Sequence, residues 1–256
     1  MAEAIIGGII DSKIADAQDV HVGEPVEARR AHLENTYGLI AHASNRDALE
    51  DAGLSVLAVK PQSLPYVLPD IKGKLSKDNA VLSIVAGATM KTLTDGLDHK
   101  AVIRVMPNTP AQIGAGMSVW TAAPEVSEDK RATTQKILAT LGEEHYADDE
   151  KLIDMATALS ASGPAYVFLF IEALIDAGVY MGMARDVARK LALQTVLGST
   201  QLVKETGRHP AELKDMVTSP GGTTIEAVRA LEDGGFRATI FNAVNAAYEK
   251  SKALGG

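Results

Sequence analysis

The chain has 256 residues, of which 46% are hydrophobic and 23% charged, and these are the values of an ordinary folded protein. Its formal net charge of -8, together with the lack of a long basic run, argues against nucleic acid as a partner. Because the chain contains no cysteine, disulfides, thiolate metal sites and cysteine nucleophiles are excluded. We expect a cytoplasmic protein with one large domain or two modest ones.

Up to about residue 150, short apolar segments alternate with segments of helical spacing. The predicted strands are 19–23, 39–40, 54–59, 80–86 and 101–105. The predicted helices are 2–10, 25–35, 63–72 and 89–97. Strands that alternate with helices favour parallel pairing with crossover helices. The sequence therefore predicts an α/β domain with a doubly wound sheet over residues 1–150.

From about Glu150 the alternation stops, and long apolar helical segments predict an all-helical domain over residues 151–256. Ser162-Gly163-Pro164 has the pattern of a helix start and leads into a helix over 165–181 that is apolar on nearly every face. Because a small helical domain has few layers, we expect a second copy of the chain to cover this helix, the alternative being a central helix inside a monomer. Further helices are predicted over 186–204, 210–217, 224–232 and 236–254.

Several classes of segment and site are not supported by the sequence. The longest unbroken apolar run, 165–171, is far shorter than the about 20 residues that cross a bilayer, so no membrane partner is predicted. No basic segment of the secretory type begins the chain. The six histidines lack the i,i+3 or i,i+4 spacing of metal ligands, and the G-x-S-x-G pattern of serine hydrolases is missing.

A hydroxyl-rich glycine turn lies within residues 217–226, directly before a predicted helix. Thr223 and Glu226 have the spacing of a capping box, while Gly221 and Gly222 would let the backbone approach a ligand without a Cβ in the way. Free amide hydrogens and the positive end of the helix dipole would favour a small carboxylate. The alternative is a tight turn between helices with a good cap.

The carboxyl ends of three predicted strands carry small residues and one cation. Ligands of open α/β sheets bind beyond such ends, where small residues leave room for a flat cofactor and Lys60 offers a cation for its phosphates or ribose. The alternative is that these are ordinary exits from strand to loop. The segments are Ala58-Val59-Lys60-Pro61, Val85-Ala86-Gly87 and Met106-Pro107-Asn108-Thr109-Pro110.

Together and in this order, these segments resemble the pyrroline-5-carboxylate reductase family over almost the whole chain. The matching pieces are 1–4, 58–61, 85–87, 106–110, 160–166 and the family's signature segment 210–232. The resemblance implies a Rossmann-type N-terminal domain followed by an all-α dimerisation domain. It also implies reduction of 1-pyrroline-5-carboxylate to L-proline by hydride transfer from NADPH, with NADH as the alternative. A homodimer or a higher homo-oligomer is expected through the helical domain.

The resemblance implies site residues as well. Thr224 is expected to supply the catalytic hydroxyl at the imine nitrogen, and the nicotinamide is expected near Asn108. Arg29 and Arg30 could meet a 2′-phosphate, although solvated positions on a helix are the alternative. The expected substrate contacts are Ser219, Gly221, Gly222, Thr223 and Thr224. The expected cofactor contacts are Asn45, Ala58, Val59, Lys60, Pro61, Ala86, Gly87 and Asn108.

The sequence departs from the family pattern at its start. The family begins with a strand and a glycine loop whose Met-Ala pair opens the first helix, whereas this sequence begins at that Met. The pyrophosphate cradle therefore cannot be assigned to any residue, and no second G-x-G-x-x-G replaces it. We expect upstream residues to supply the strand and the loop, and we expect the chain without them neither to bind cofactor well nor to fold stably.

Two rival functions remain open at this point. A hydroxyacid dehydrogenase of similar two-domain design would need a catalytic lysine early in the second domain, where Lys151 and Lys190 are the candidates. A non-catalytic binding protein is the second rival, and the missing glycine loop favours it. Titration with NADPH separates the enzymes from the binding protein, since a non-catalytic remnant would not bind the nucleotide at micromolar concentration.

Overall fold

The computed structural model describes residues 1–255, which divide into two compact units. The first unit contains Met1–Ser162 and also residues 246–255 at the end of the chain. The second unit is Gly163–Asn245. Strands occur in the first unit, whereas the described residues of the second unit form helices and their connections.

The strands of the first unit form two sheets. The smaller sheet is a parallel pair, β1 (His21–Gly23) and β2 (Ile40–His42). The larger sheet has the order β3-β4-β5-β6-β7. Within residues 1–255, no strand pairs with both β1 and β3, so the sheet is divided at this point. The larger sheet contains β3 (Leu54–Leu57), β4 (Ala80–Ser83), β5 (Val102–Met106), β6 (Gly116–Ala122) and β7 (Gly142–Tyr146).

The predicted Rossmann-type fold is confirmed, and the strands predicted from the sequence pair in parallel, whereas β6 and β7 were not predicted. β3, β4 and β5 are parallel, whereas β6 runs antiparallel to β5 with Ile103 opposite Ala122. Residues 107–115 alone connect β5 to β6, and a parallel crossover needs about a dozen residues or more. The short connection therefore returns the chain in the opposite direction. β7 then pairs parallel to β6.

Helices pack on both faces of the larger sheet, which explains why its central strands are apolar on both sides. In β4, Leu82 lies in one core cluster with Ile103, while Val81 lies in a second cluster with Leu93. The first helix, α1, contacts the larger sheet through Ile5. The helices of this unit are α1 (Ala2–Asp11), α2 (Glu27–Tyr37), α3 (Leu64–Ile71), α4 (Met90–Leu97), α5 (Glu128–Ala139) and α6 (Lys151–Ala156).

The second unit confirms the predicted helical region. A π-helical segment, Thr157–Ala161, leads from α6 into α7 (Gly163–Tyr180). α7 packs on α8 at Gly178, where an added Cβ would lie 2.8 Å from the Cβ of Ala188. The rings of Phe170 and Phe236 have centroids 6.3 Å apart. The remaining helices are α8 (Arg185–Thr206), α9 (Pro210–Met216), α10 (Thr223–Asp233) and α11 (Phe236–Gly255).

The α6–α7 region is the most apolar helical stretch among the described residues. By length and composition, Lys151–Tyr180 meets the criteria for a membrane span, and 6% of its most apolar window is buried. On α7, Phe168 is 60% exposed and Leu169 is 67% exposed. A contiguous apolar surface of this kind marks an interaction site, and the predicted second copy of the chain would cover it.

Candidate active site

The expected cofactor contacts of the larger sheet lie at one edge. β3, β4 and β5 are adjacent and parallel, so their carboxyl ends meet at the same side. Lys60 follows β3, Gly87 follows β4 and Asn108 follows β5. Lys60 is exposed and forms no ion pair within residues 1–255, which leaves its ammonium group available to a phosphate. The remaining expected contacts at this edge are Ala58, Val59, Pro61 and Ala86.

The amide side chain of Asn108 is bonded within the protein. Its Oδ1 accepts a hydrogen bond from the amide nitrogen of Met117 at 2.9 Å. Its Nδ2 donates to the carbonyl oxygen of Ser160 at 3.3 Å. Asn108 therefore fixes the loop between β5 and β6. Any contact of Asn108 with the nicotinamide would be made with its side chain held in this position.

Gly87 meets the end of the chain. It has φ of +76°, and an added Cβ would lie 3.0 Å from the Cβ of Leu254 in α11. Both the left-handed backbone and the close approach require glycine. A Cβ on Gly255 would similarly lie 3.2 Å from Thr89. The last turn of α11 thus packs on the loop after β4, a contact that sequence reasoning missed because no local pattern signals it.

Asn45 follows β2 and lies at the carboxyl end of β1. A Cβ built on Gly23 would lie 2.7 Å from Oδ1 of Asn45, so the two residues are in close contact. The Nδ2 of Asn45 donates to Oδ2 of Asp70 at 3.1 Å. Asp70 also accepts at Oδ1 from Nε of Arg46 at 3.0 Å. The side chain of Asn45 is therefore oriented by a carboxylate from α3.

Both arginines considered for a 2′-phosphate are engaged by protein groups. Arg29 forms an ion pair with Glu3 at 2.7 Å, and this hydrogen bond lowers the pKa of the Glu3 carboxyl. Arg30 donates from Nη1 to the carbonyl oxygens of Glu24 and Pro25 at 2.8 and 2.9 Å. Arg30 thus closes the turn between β1 and α2.

A buried arginine lies directly behind the strand end that carries Asn108. Arg104 in β5 is 1% exposed and donates to Glu150 at 2.7 Å and to Asp154 at 3.2 Å. Glu150 also accepts from the amide nitrogen of Met90 at the start of α4, and Asp154 accepts from the hydroxyl of Ser251 in α11. This network connects β5, α4, α6 and the end of α11. Its sequence signal is a single arginine inside an apolar strand.

The glycine turn precedes α10 as expected, but the predicted capping box does not form. Gly222 is the N-cap and Thr223 is already the first helical residue, so the Thr223 side chain is not in the capping position. Glu226 instead accepts from Arg229 at 3.0 Å. Gly221 has φ of +68°, and a Cβ on Gly222 would lie 2.2 Å from Oγ of Ser219. Glycine is therefore favoured at Gly221 by the left-handed backbone, whereas a side chain at Gly222 would displace the hydroxyl of Ser219.

Thr224 lies in the first turn of α10 and is half-buried. Its hydroxyl makes no hydrogen bond to any of residues 1–255. The first amide hydrogens of a helix have no partners within the helix, and the helix dipole is positive at this end. The turn therefore offers a carboxylate several amide donors beside a free hydroxyl.

Two groups of residues thus have the chemistry of a reductase site. The strand edge of the first unit has a free cation, small residues and a buried supporting network, and these fit a nicotinamide dinucleotide. The helix start of the second unit has donors that fit a small amino or imino acid. Every expected site residue lies in the part of the chain that the structure describes, whereas the Arg104 network, Asp70 and Leu254 were not predicted.

Comparisons with known proteins identify both regions of the chain. Residues 150–254 match a family model described as pyrroline-5-carboxylate reductase dimerisation. Residues 1–87 match one described as NADP oxidoreductase, coenzyme F420-dependent. The expectations of a Rossmann-like dinucleotide domain and of a helical dimerisation domain are confirmed.

Individual relatives cover nearly the full length of the chain. The pyrroline-5-carboxylate reductase of Synechocystis sp. is 46% identical over 100% of this chain and 95% of its own length. The Escherichia coli reductase is 43% identical over 99% of this chain and 94% of its own. The crystal structure of the Plasmodium falciparum reductase with NADP bound has a TM-score of 0.90, 36% identity, and coverage of 99% and 94% of the two chains. The chain therefore belongs to the pyrroline-5-carboxylate reductase family.

Proposed function

We propose that this protein reduces the C=N bond of 1-pyrroline-5-carboxylate to give L-proline, the last step of proline biosynthesis, with NADPH as the reductant and NADH as an alternative. The observation that carries the proposal is the hydroxyl of Thr224, which is free of protein partners at the first turn of α10. Membership of the family supports the same reaction.

The substrate would be held at the glycine turn. Its carboxylate would accept hydrogen bonds from the amides of Gly221 and Thr223 and from the hydroxyl of Ser219, with the dipole of α10 favouring the negative charge. The amide of Gly222 donates to the carbonyl oxygen of Ser219 at 3.1 Å, so Gly222 would contribute by shaping the turn around the carboxylate. Thr224 would donate its hydroxyl hydrogen to the imine nitrogen. This hydrogen bond draws electron density from the C=N bond, so the ring carbon accepts hydride more readily. As the carbon gains hydride, the nitrogen gains a proton that comes from solvent, so Thr224 keeps its hydroxyl hydrogen.

The cofactor would lie along the strand edge of a dinucleotide-binding domain that we assign to residues 1–150. The bound dinucleotide supplies the hydride. Lys60 would contact its phosphates or ribose, Asn45 would contact the ribose, and Asn108 would hold its loop beside the nicotinamide. Small residues would leave room for the rings, namely Ala58, Val59, Pro61, Ala86 and Gly87.

We assign assembly to the helical domain over residues 151–256. The exposed apolar side chains of α7, such as Phe168 and Leu169, would be covered in a homodimer or a higher homo-oligomer. The family model for dimerisation covers the same region. We assign the protein to the cytoplasm, without nucleic-acid or membrane partners, since its net charge is -8 and the interface accounts for the apolar helix.

A coupled assay tests the proposal. Purified protein is incubated with 1-pyrroline-5-carboxylate and NADPH, and oxidation of NADPH is compared with the proline formed, measured by mass spectrometry. One proline per NADPH oxidised is the expected result, with no oxidation when the imine is omitted. NADPH binding without proline formation would contradict the proposal. A hydroxyacid dehydrogenase would instead oxidise a hydroxyacid with the nicotinamide, through Lys151 or Lys190.

A further inference from the structure

A charged group lies against the residue proposed to contact the ribose. Asp70, near the end of α3, accepts from Nδ2 of Asn45 at 3.1 Å and from Nε of Arg46 at 3.0 Å. Arg46 Nε also bonds the carbonyl oxygen of Asp70 at 2.9 Å. The side chains of Asp70 and Arg46 are 36% and 53% exposed, so both charges remain accessible to a ligand at this end of β1.

The carboxylate of Asp70 sets the orientation of the Asn45 amide. An ionised carboxylate only accepts hydrogen bonds, so the Nδ2 of Asn45 must point toward Asp70. The Oδ1 of Asn45 then points toward Gly23, where an added Cβ would lie 2.7 Å away. One acceptor oxygen and one remaining N–H of Asn45 are therefore presented beside a negative charge.

The two nicotinamide cofactors differ at this position. In doubly wound folds, the ribose binds at the carboxyl end of the second strand. β1 of this chain corresponds to that second strand, because the family's first strand precedes the Met-Ala pair with which this sequence begins. A ribose 2′-hydroxyl can donate to Oδ1 of Asn45 and is neutral. A 2′-phosphate cannot donate when fully ionised, and its charge would be repelled by the Asp70 carboxylate.

We infer that Asp70 is a specificity-determining residue of the cofactor site. It lowers the affinity for a dinucleotide with a 2′-phosphate relative to one with a 2′-hydroxyl. Arg46 weakens this effect, because its positive charge partly neutralises the Asp70 carboxylate. Asp70 thereby reduces the difference in affinity between NADPH and NADH, so that NADH can also bind. The inference rests on the proposed function, which places the ribose at Asn45.

Two substitutions with opposite expected effects test the inference. Asp70→Asn keeps an acceptor for Asn45, removes the negative charge and releases Arg46. The ratio of the Kd for NADH to the Kd for NADPH should rise at least about threefold, which is the factor for two unit charges about 6 Å apart in bulk water. Arg46→Met leaves Asp70 unneutralised, so the ratio should fall by a similar factor. Isothermal titration calorimetry measures both constants, and both shifts should shrink at high salt.

Glu128→Gln is the matched control, because Glu128 on α5 carries the same charge and its side chain is 97% exposed. It should leave the ratio unchanged. An unchanged ratio in both test variants, or shifts of both ratios in the same direction, would overturn the inference. The proposed function would stand in that case, provided that the wild-type protein binds the cofactor. If Asp70→Asn does not fold, Arg46→Met decides. Failure of the protein to bind either nucleotide when it carries the expected upstream strand and glycine loop would overturn the proposed function, and this inference with it.

Discussion

Nη1 of Arg104 donates to Oε1 of Glu150 at 2.7 Å, and Asp154 holds the other arm of the same guanidinium. Arg104 is 1% exposed, whereas both carboxylates are partly exposed. Removing both acids would therefore leave a buried charge without a partner, while removing the arginine would leave carboxylates that water can solvate.

We expect the double variant Glu150→Gln with Asp154→Asn to lose about 3 kcal/mol of unfolding free energy or more. Arg104→Met should cost less, because methionine fills part of the volume and introduces no buried charge. Urea unfolding followed by circular dichroism measures both. A greater loss in Arg104→Met than in the double variant would contradict this account of the network.

The contact between Gly87 and Leu254 makes a second prediction. Gly73→Ala introduces backbone strain alone, since Gly73 has φ of +70° and open space around its Cβ position. That variant should lose about 1 to 2 kcal/mol. Gly87→Ala adds a steric conflict with the Cβ of Leu254 and should lose more, and Leu254→Gly, which removes that Cβ, should reduce the difference between Gly87→Ala and Gly73→Ala. Equal losses in Gly87→Ala and Gly73→Ala would show that α11 does not press on the loop after β4.

Prediction from the sequence worked where local patterns decide the structure. The apolar runs around Leu82 and Ile103 predicted their strands because both faces of these strands are buried. β7 was not predicted because it is an edge strand with polar residues such as Glu143 and Glu144. β6 runs antiparallel to β5 because the connection that precedes it is too short for a parallel crossover.

In the candidate site too, features with a local sequence pattern could be predicted, and features set by tertiary structure could not. The glycine turn is a local pattern, so the sequence alone indicates it, whereas the role of Thr224 comes from the family resemblance. The partners of Arg104 lie 46 and 50 residues away, and such pairing follows from tertiary structure alone. Thr223 and Glu226 have the spacing of a capping box, but the helix starts one residue earlier than the pattern requires. Local spacing cannot specify which residue takes the N-cap conformation.

The ion pair between Glu3 and Arg29 makes stability depend on pH. The hydrogen bond from Arg29 lowers the pKa of Glu3 below its ordinary value of 4.5 in the folded chain. Stability from this group is thus fully present above that value and is lost as the pH falls through the lowered pKa. Glu3→Gln should be slightly less stable than wild type at neutral pH and equal to it in strong acid. Urea midpoints that diverge further in acid would contradict the sign.

Assembly through α7 makes a fourth prediction. Phe168→Asp should raise the dissociation constant of the homo-oligomer at least about tenfold, because it replaces an apolar contact with a charge that must be desolvated. Tyr66→Asp on α3 is the control, since Tyr66 is also an exposed aromatic residue, at 79%, and belongs to the first unit. Light scattering across a dilution series measures the constant. Dissociation of the control but not of Phe168→Asp would place the interface elsewhere.

The role of Thr224 is the central claim, and the turnover of Thr224→Ala tests it most directly. Loss of a hydrogen bond to a developing charge should lower kcat for imine reduction about ten- to a hundredfold, while the Kd for NADPH stays unchanged. Thr224→Ser should retain most of the turnover, and Thr223→Ala, which removes the neighbouring hydroxyl, should retain it as well. A Thr224→Ala variant with the kcat of the wild type would contradict the account, and would leave Thr224 as an ordinary residue of the helix start.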